Sequence, residues 1–147
     1  MRLTMKGDYG LRAMIDLAAH DGLGPIPSAD IAARQLIPEH FLDQLLVTLR
    51  RAGLLKSLRG PQGGHMLARP PATITMAEII GALEGPVAPM ECVPNPTVCQ
   101  LSSGCGIRDV WVEVDAFTQR LLNGKTLEDL ARQHRVPGQE HEAMHYS

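Results

Sequence analysis

A leucine-striped stretch of helix length, fenced by a proline and a glycine and followed at once by a glycine-rich turn, leaves this chain few folds. Leu42, Leu45, Leu46 and Leu49 recur at the three- and four-residue steps of one helical face. Pro38 stands in the first turn, where its missing N–H costs nothing, and Gly53 stands where a helix ends in a left-handed residue. A helix is therefore expected from Pro38 to about Ala52. Upstream, Ser28 is placed to cap a shorter helix from Ala29 to Gln35, separated from the first only by Leu36 and Ile37. Two helices so joined form a helix-turn-helix pattern. Downstream, Leu54 to Leu58 and His65 to Ala68 are strand-like runs on either side of Gly60-Pro61-Gln62-Gly63-Gly64, closed by Pro70-Pro71. Such a hairpin is a wing, and its glycines let the tip approach another backbone closely.

The remainder completes a mainly α fold with one small β-hairpin. Lys6 to His20 forms a first helix with Leu11, Met14, Ile15 and Ala18 on one face, broken by the Gly- and Pro-bearing run after Asp21. Thr75 caps a helix from Met76 to Leu83, which Gly85-Pro86 ends. A long helix from Gly106 to about Leu122 carries Ile107, Val110, Trp111, Val114, Phe117 and Leu121, a face suited to a partner subunit. Thr126 caps a last helix, Leu127 to Gln133. Aromatic residues are only 3% of the chain, so the core must be aliphatic, which favours packed helices over a β-sandwich. The expected organisation is a winged helix-turn-helix domain over 1–71, a cysteine-bearing loop with dimerisation helices over 72–133, and a disordered polar tail over 134–147. No apolar stretch approaches the ~18 residues of a membrane span. The opening residues lack the apolar core of a signal peptide, so a cytoplasmic protein is expected.

Charge is distributed unevenly. Residues 1–69 hold nine Lys/Arg against six Asp/Glu, whereas residues 70–147 hold five against ten. Arg50, Arg51, Lys56, Arg59 and Arg69 fall in a window without a carboxylate, the footprint of one face that meets phosphate. With the leucine-striped helix in a major groove of double-stranded DNA, Glu39, His40, Asp43, Gln44 and Thr48 face the bases. Gln44 suits adenine and Asp43 the cytosine amino group. Ser28, Arg50, Arg51, Lys56 and Arg59 suit phosphate, and Arg59 also suits a minor groove. Gly60, Gln62 and Gly63 form the wing tip beside it.

Cys92, Cys99 and Cys105 lie within one short segment poor in core-forming residues, and no other cysteine occurs. An odd count in a reducing compartment argues against structural disulfides. Three thiolates suit zinc, copper(I) or an iron–sulfur cluster. Structural zinc sites use CxxC-like pairs and four ligands, neither of which stands nearby, so an iron–sulfur cluster with a fourth ligand from elsewhere fits better. A zinc-bound protein, or a cluster-free one sensing redox directly through its thiols, is the alternative. There is no nucleophile elbow, HExxH or GK[ST] loop, and GPQGG lacks the lysine and helix of a phosphate cradle, so no enzyme is expected.

The opening MRLTMKGDYGLRAMIDLA, the run LRRAGLLKSLRGPQGGHMLARP, the segment ITMAEIIGALEG and the three cysteines before a long helix together resemble the Rrf2 family of bacterial winged-helix regulators. The resemblance runs from Met1 to about Gln133. It implies a homodimer paired through the long helix on a roughly palindromic operator, with each cysteine loop near the other subunit's DNA-binding domain. It further implies a regulator, a repressor by preference, controlled by a cluster that senses nitric oxide, redox state or iron–sulfur status. One branch draws its fourth ligand from a histidine three residues after the third cysteine. Here that position is Arg108, which offers no lone pair. A second, nitric-oxide-sensing branch uses an aspartate near the N-terminus, supplied across the dimer, and Asp8 stands at that position. That likeness favours a 4Fe-4S over a 2Fe-2S cluster. Glu91 and, more distantly, His65 are rival ligands, and an ordinary helix-start carboxylate is the plain alternative for Asp8.

Overall fold

The computed structural model describes residues 3–135. Helices α1 (Met5–Ala19), α2 (Ser28–Gln35) and α3 (Glu39–Arg51) are followed by the hairpin of β1 (Leu55–Leu58) and β2 (Gly64–Leu67). Then come α4 (Met76–Glu84), α5 (Gly106–Asn123) and α6 (Leu127–Gln133), with short 3-10 turns at Pro71–Thr73, Pro96–Val98 and Ser102–Gly104. The winged helix expected from the sequence is present. Ser28 departs in detail: it is the first helical residue, Pro27 holds the cap position, and no side-chain capping bond forms. At α3 the Pro38 carbonyl accepts from the N–H groups of Phe41 and Leu42 at 3.1 and 3.0 Å. Thr75 caps α4, and Thr126 forms a full capping box with Asp129 on α6.

Met14 and Leu17 of α1, Ile31 of α2, and Leu42, Leu46 and Leu49 of α3 pack with Leu55, Leu67, Ile74, Ile79 and Leu127 in one aliphatic core. The start of α4 and α6 are laced together, Leu127 N–H donating to Ile74 O and Met76 N–H to Lys125 O, both at 2.8 Å. The core thus runs continuously across residue 71. Helix α5 contributes no buried residue to it. A cavity of about 320 Å³, lined by Ile80, Gly81, Val87, Gln119 and Leu122 among others, opens between α4 and α5. His134 is ordered against Gln35, Nε2 lying 3.1 Å from Oε1. Arg135 donates to the Arg132 carbonyl at 2.7 Å, and residues 136–147 of the expected tail lie outside the described residues.

Two devices set the angles between these elements. The first is a buried carboxylate. Asp16 of α1 is 1% exposed and meets Arg34 of α2 in a two-pronged ion pair at 2.9 and 2.8 Å. The Gln35 side-chain amide adds a third bond at 3.1 Å, and Arg12 Nη1 donates to the Gln35 carbonyl at 2.7 Å. The second is Glu84, at the end of α4. Its Oε1 accepts from the Thr4 hydroxyl, and from the N–H groups of Thr4 (3.0 Å) and Gly7 (2.9 Å), at the start of α1. The Thr4 hydroxyl is the main cause that holds this carboxyl below its ordinary range, with the backbone donors adding to it. Gly7 and Gly10 let the helices approach: a Cβ on Gly10 would lie 2.1 Å from Leu83 Cδ1.

The wing is fastened to the helices by a third, single-residue strand. Ile26 and His65 exchange two N–H···O bonds of 2.8 Å. Gly64 makes that possible, with φ +153° and no room for a side chain: a Cβ would stand 2.5 Å from the Ile26 carbonyl. Gly64→Ala is therefore expected to lower stability by about 2–4 kcal/mol, read as a lower urea midpoint with unchanged slope. Asp16→Ala, which removes the buried acceptor of the Arg34 and Gln35 side chains, is expected to cost about 1.5–3 kcal/mol in the same measurement at equal protein concentration. A loss below about 1 kcal/mol would show that the ion pair sets no helix angle.

Candidate nucleic-acid interface and cysteine loop

Because the leucine stripe of α3 is consumed by the core, its remaining face is left to solvent. Glu39, His40, Asp43, Gln44 and Thr48 are all exposed there, with Arg50 and Arg51 on the last turn. Thr48 Oγ1 donates to the Gln44 backbone carbonyl at 3.3 Å, and the Gln44 residue is exposed. On the hairpin, Lys56, Arg59, Gly60 and Gln62 are exposed, while Gly63 and, at the head of α2, Ser28 are half-buried. Arg69 behaves differently from the other basic residues of its window. It pairs with Glu78 at 2.5 Å and donates to the Thr73 carbonyl at 3.0 Å, so α4 neutralises it.

His65 joins wing to helix. It faces Ser57 across the hairpin, Oγ to Nδ1 2.8 Å, and feels Asp43 and Arg50 of α3. Burial pushes its pKa below the ordinary histidine value, Arg50 adds to this, and Asp43 opposes it. At neutral pH it is therefore an uncharged packing residue whose Nδ1 is already engaged.

The cysteine loop spans from α4 to α5. Cys92 and Cys105 are half-buried, Cys99 is exposed, and all three are free thiols. Cys105 is the N-cap of α5, its Sγ accepting from Arg108 N–H at 3.3 Å. Arg108 Nε in turn donates to the Cys92 carbonyl at 3.0 Å. The residue that cannot be a ligand thus ties the first cysteine to the third. Among the described residues no three His, Cys, Asp or Glu side chains are gathered closely enough to hold a metal ion. The donor chemistry suits a soft metal group, and α5 turns its electropositive end to the loop. In the single chain the loop carries the thiols without converging them.

Asp8 lies apart from that loop. It is exposed on the first turn of α1 and pairs with Arg12 at 3.0 Å. Arg12 also lies 4.8 Å from the Tyr9 ring centroid and holds the Gln35 carbonyl. Glu91 is exposed beside Cys92. Sequence reasoning missed Arg12 and Glu84. The four-residue spacing from Asp8 to Arg12 is a signal for the first, whereas nothing local marks Glu84 as a cap for a helix 77 residues away.

Along α5, Ile107, Val110, Val114, Phe117 and Leu121 are all exposed, Ile107 by 68% and Phe117 by 62%. Trp111, the remaining member of the expected face, is half-buried, so the face is largely but not wholly turned away from the chain's own core.

Comparison with known proteins agrees with this architecture. Residues 3–133 match the Rrf2 family, described as an iron-dependent transcriptional regulator. The chain is 40% identical over 131 residues to the HTH-type transcriptional regulator CymR of Bacillus subtilis (strain 168), covering 89% of this chain and 90% of that protein. It is 37% identical over 136 residues to the HTH-type transcriptional regulator IscR of Escherichia coli O1:K1 / APEC, covering 92% and 83%. Among solved structures, CymR, the global cysteine regulator of B. subtilis, superposes with a TM-score of 0.77 at 38% identity, over 92% of this chain and 99% of that one. T. potens IscR superposes with a TM-score of 0.74 at 35% identity, over 99% and 97%. With nearly its whole length shared with such regulators, the chain belongs to the Rrf2 family of DNA-binding transcriptional regulators and is not an enzyme.

Proposed function

We propose that this protein represses transcription as a homodimer whose grip on a roughly palindromic operator is set by an iron–sulfur cluster on the loop between α4 and α5. The observation that carries the reading is the loop itself: three free thiols, the last capping a helix whose apolar face is largely exposed in its own chain. Family membership supports iron, through the description of the family as iron-dependent. Cys92, Cys99 and Cys105 would hold the cluster, with Asp8 of the partner subunit as fourth ligand. When bound, such a cluster supplies a centre that is lost or altered on exposure to nitric oxide or oxidant, with the oxygen-ligated iron its labile corner.

The chain's own residues do the rest. In the operator complex α3 presents Glu39, His40, Asp43, Gln44 and Thr48 to the major groove. Ser28, Arg50, Arg51 and Lys56 hold phosphates, and Arg59 with Gly60, Gln62 and Gly63 carries the wing tip to the flanking backbone. His65, Ser57 and the Ile26 bridge keep wing and helix in one register. Asp8 sits on the same helix as Arg12, which grips the α2–α3 turn through the Gln35 carbonyl. A pull on Asp8 is therefore felt at the root of the reading head.

Direct thiol sensing is the second reading. It is favoured by the exposure of Cys99, by the unconverged thiols, and by similarity to a protein described as a global cysteine regulator.

Native mass spectrometry of protein purified without oxygen separates the two. Four irons and four sulfides per subunit support the Asp8-ligated reading, and two of each move the protein towards redox or cluster-status sensing. Zinc alone, or no metal, leaves the thiol reading. Asp8→Ala is expected to speed loss of cluster absorbance in air severalfold while removing less than about 1 kcal/mol of apo-protein stability, since its own ion pair is at the surface. An unchanged cluster lifetime excludes Asp8 as ligand. Lys56→Ala is expected to weaken binding to selected and scrambled duplexes alike, lowering the slope of log affinity against log salt by about 0.9 per lost phosphate contact.

A further inference from the structure

Among the described residues, Leu36 is the one non-glycine residue with positive φ, at φ 55° and ψ 49°. It is also, among the described residues, the most exposed large apolar side chain, at 75%. Both features are unfavourable. A left-handed conformation strains a residue with a Cβ, and glycine or asparagine holds such a turn more easily. An open leucine in a two-residue helix connection gains nothing from the core. The turn is nonetheless fixed on both sides. Leu36 and Ile37 both donate to the Ala32 carbonyl, the second at 3.0 Å, and Ile37 is buried at 5% exposure. Arg12 holds the Gln35 carbonyl at 2.7 Å. The side chain is thus carried on a rigid, over-determined mount just ahead of α3, beside exposed Glu39 and His40. Strain held in place in this manner belongs with function.

We propose that Leu36 is a specificity-determining residue that makes an apolar contact with a thymine methyl group at the head of the base-reading helix. This rests on α3 as the helix that enters the major groove. The entry turn of such a helix lies on the base edges, and the thymine methyl is the apolar feature exposed there. The exposed polar and charged side chains of α3 suit hydrogen-bonding groups and phosphates, so a leucine in the turn before it adds a kind of contact that they cannot supply.

The test uses the full-length protein and a duplex selected by it from a random pool. Leu36→Gly and Leu36→Asn both suit the backbone of the turn, so neither is expected to lower Tm. Each is expected to weaken binding to the selected duplex about threefold to tenfold. Replacing thymines one at a time by deoxyuridine removes only the methyl group. At one position per half-site this should weaken wild-type binding by a similar factor and leave Leu36→Gly binding unchanged. A drop in Tm in both variants would show that the leucine packs within the protein and overturn the proposal. So would equal weakening on thymine and deoxyuridine duplexes, or no weakening at all. Gln44→Ala on the same duplex tests α3 separately: if it binds as wild type does, the assignment of α3 itself has failed.

Discussion

A buried carboxylate ties together the helices from which α3 departs. Asp16 is buried beside an aliphatic core, and its charge is met by Arg34 and Gln35 of the next helix, with His20 Nδ1 3.8 Å away. Aliphatic packing alone is forgiving about angle, since leucines repack with small shifts. A two-pronged ion pair is directional and is not. It fixes α2 against α1, and α2 carries the turn from which α3 departs. The Gln35 backbone is gripped by Arg12 while its side chain meets His134, so the same few residues gather α1, α2 and the segment after α6.

The molecule separates its rigid and its adjustable parts along the chain. Up to Leu67 nearly every element has residues in the shared core, and the wing is closed by backbone bonds that a Cβ at Gly64 would break. From Gly85 to Gly104 the chain is held by 3-10 turns, short backbone bonds and Arg108, with little apolar burial. Segments with so few buried contacts open and rearrange at low cost. That suits a loop whose three thiols must move to meet anything they bind. The mixture also explains why two chemically different sensing modes can be argued for one scaffold.

Much of this was legible in the sequence because it was written locally. The leucine stripe, Pro38, Gly53 and the GPQGG turn each act within a few residues, and so the helix-turn-helix and wing followed from spacing. Thr75 and Thr126 announced their helices in the same manner. Ser28 misled by one residue, since Pro27 before it already supplies the extended backbone that a cap needs. The long-range terms were not legible. Asp16 and Glu84 carried no local mark of their roles, and Arg69 was counted with the basic window, because their partners are brought to them only by the fold. The cysteines were found from composition, but no spacing rule could show that Arg108 would link the first to the third.

Helix α5 has a consequence for dosage. It keeps no side chain in the core of its own chain, and it carries Cys105 at its head and one end of the cysteine loop. The other end of that loop is fastened to α1 through Glu84 whatever the chain's state of association. In the proposed dimer, the cover of the apolar face of α5 is then a matter of mass action, complete when chains are abundant and incomplete when they are scarce. A cell with few copies would hold subunits whose α5 is tied at its far end through Lys125 and Met76 but whose apolar face is bare, able to fold their first three helices and wing but not to present a finished sensor. The number of molecules made would thus help to decide how many can respond.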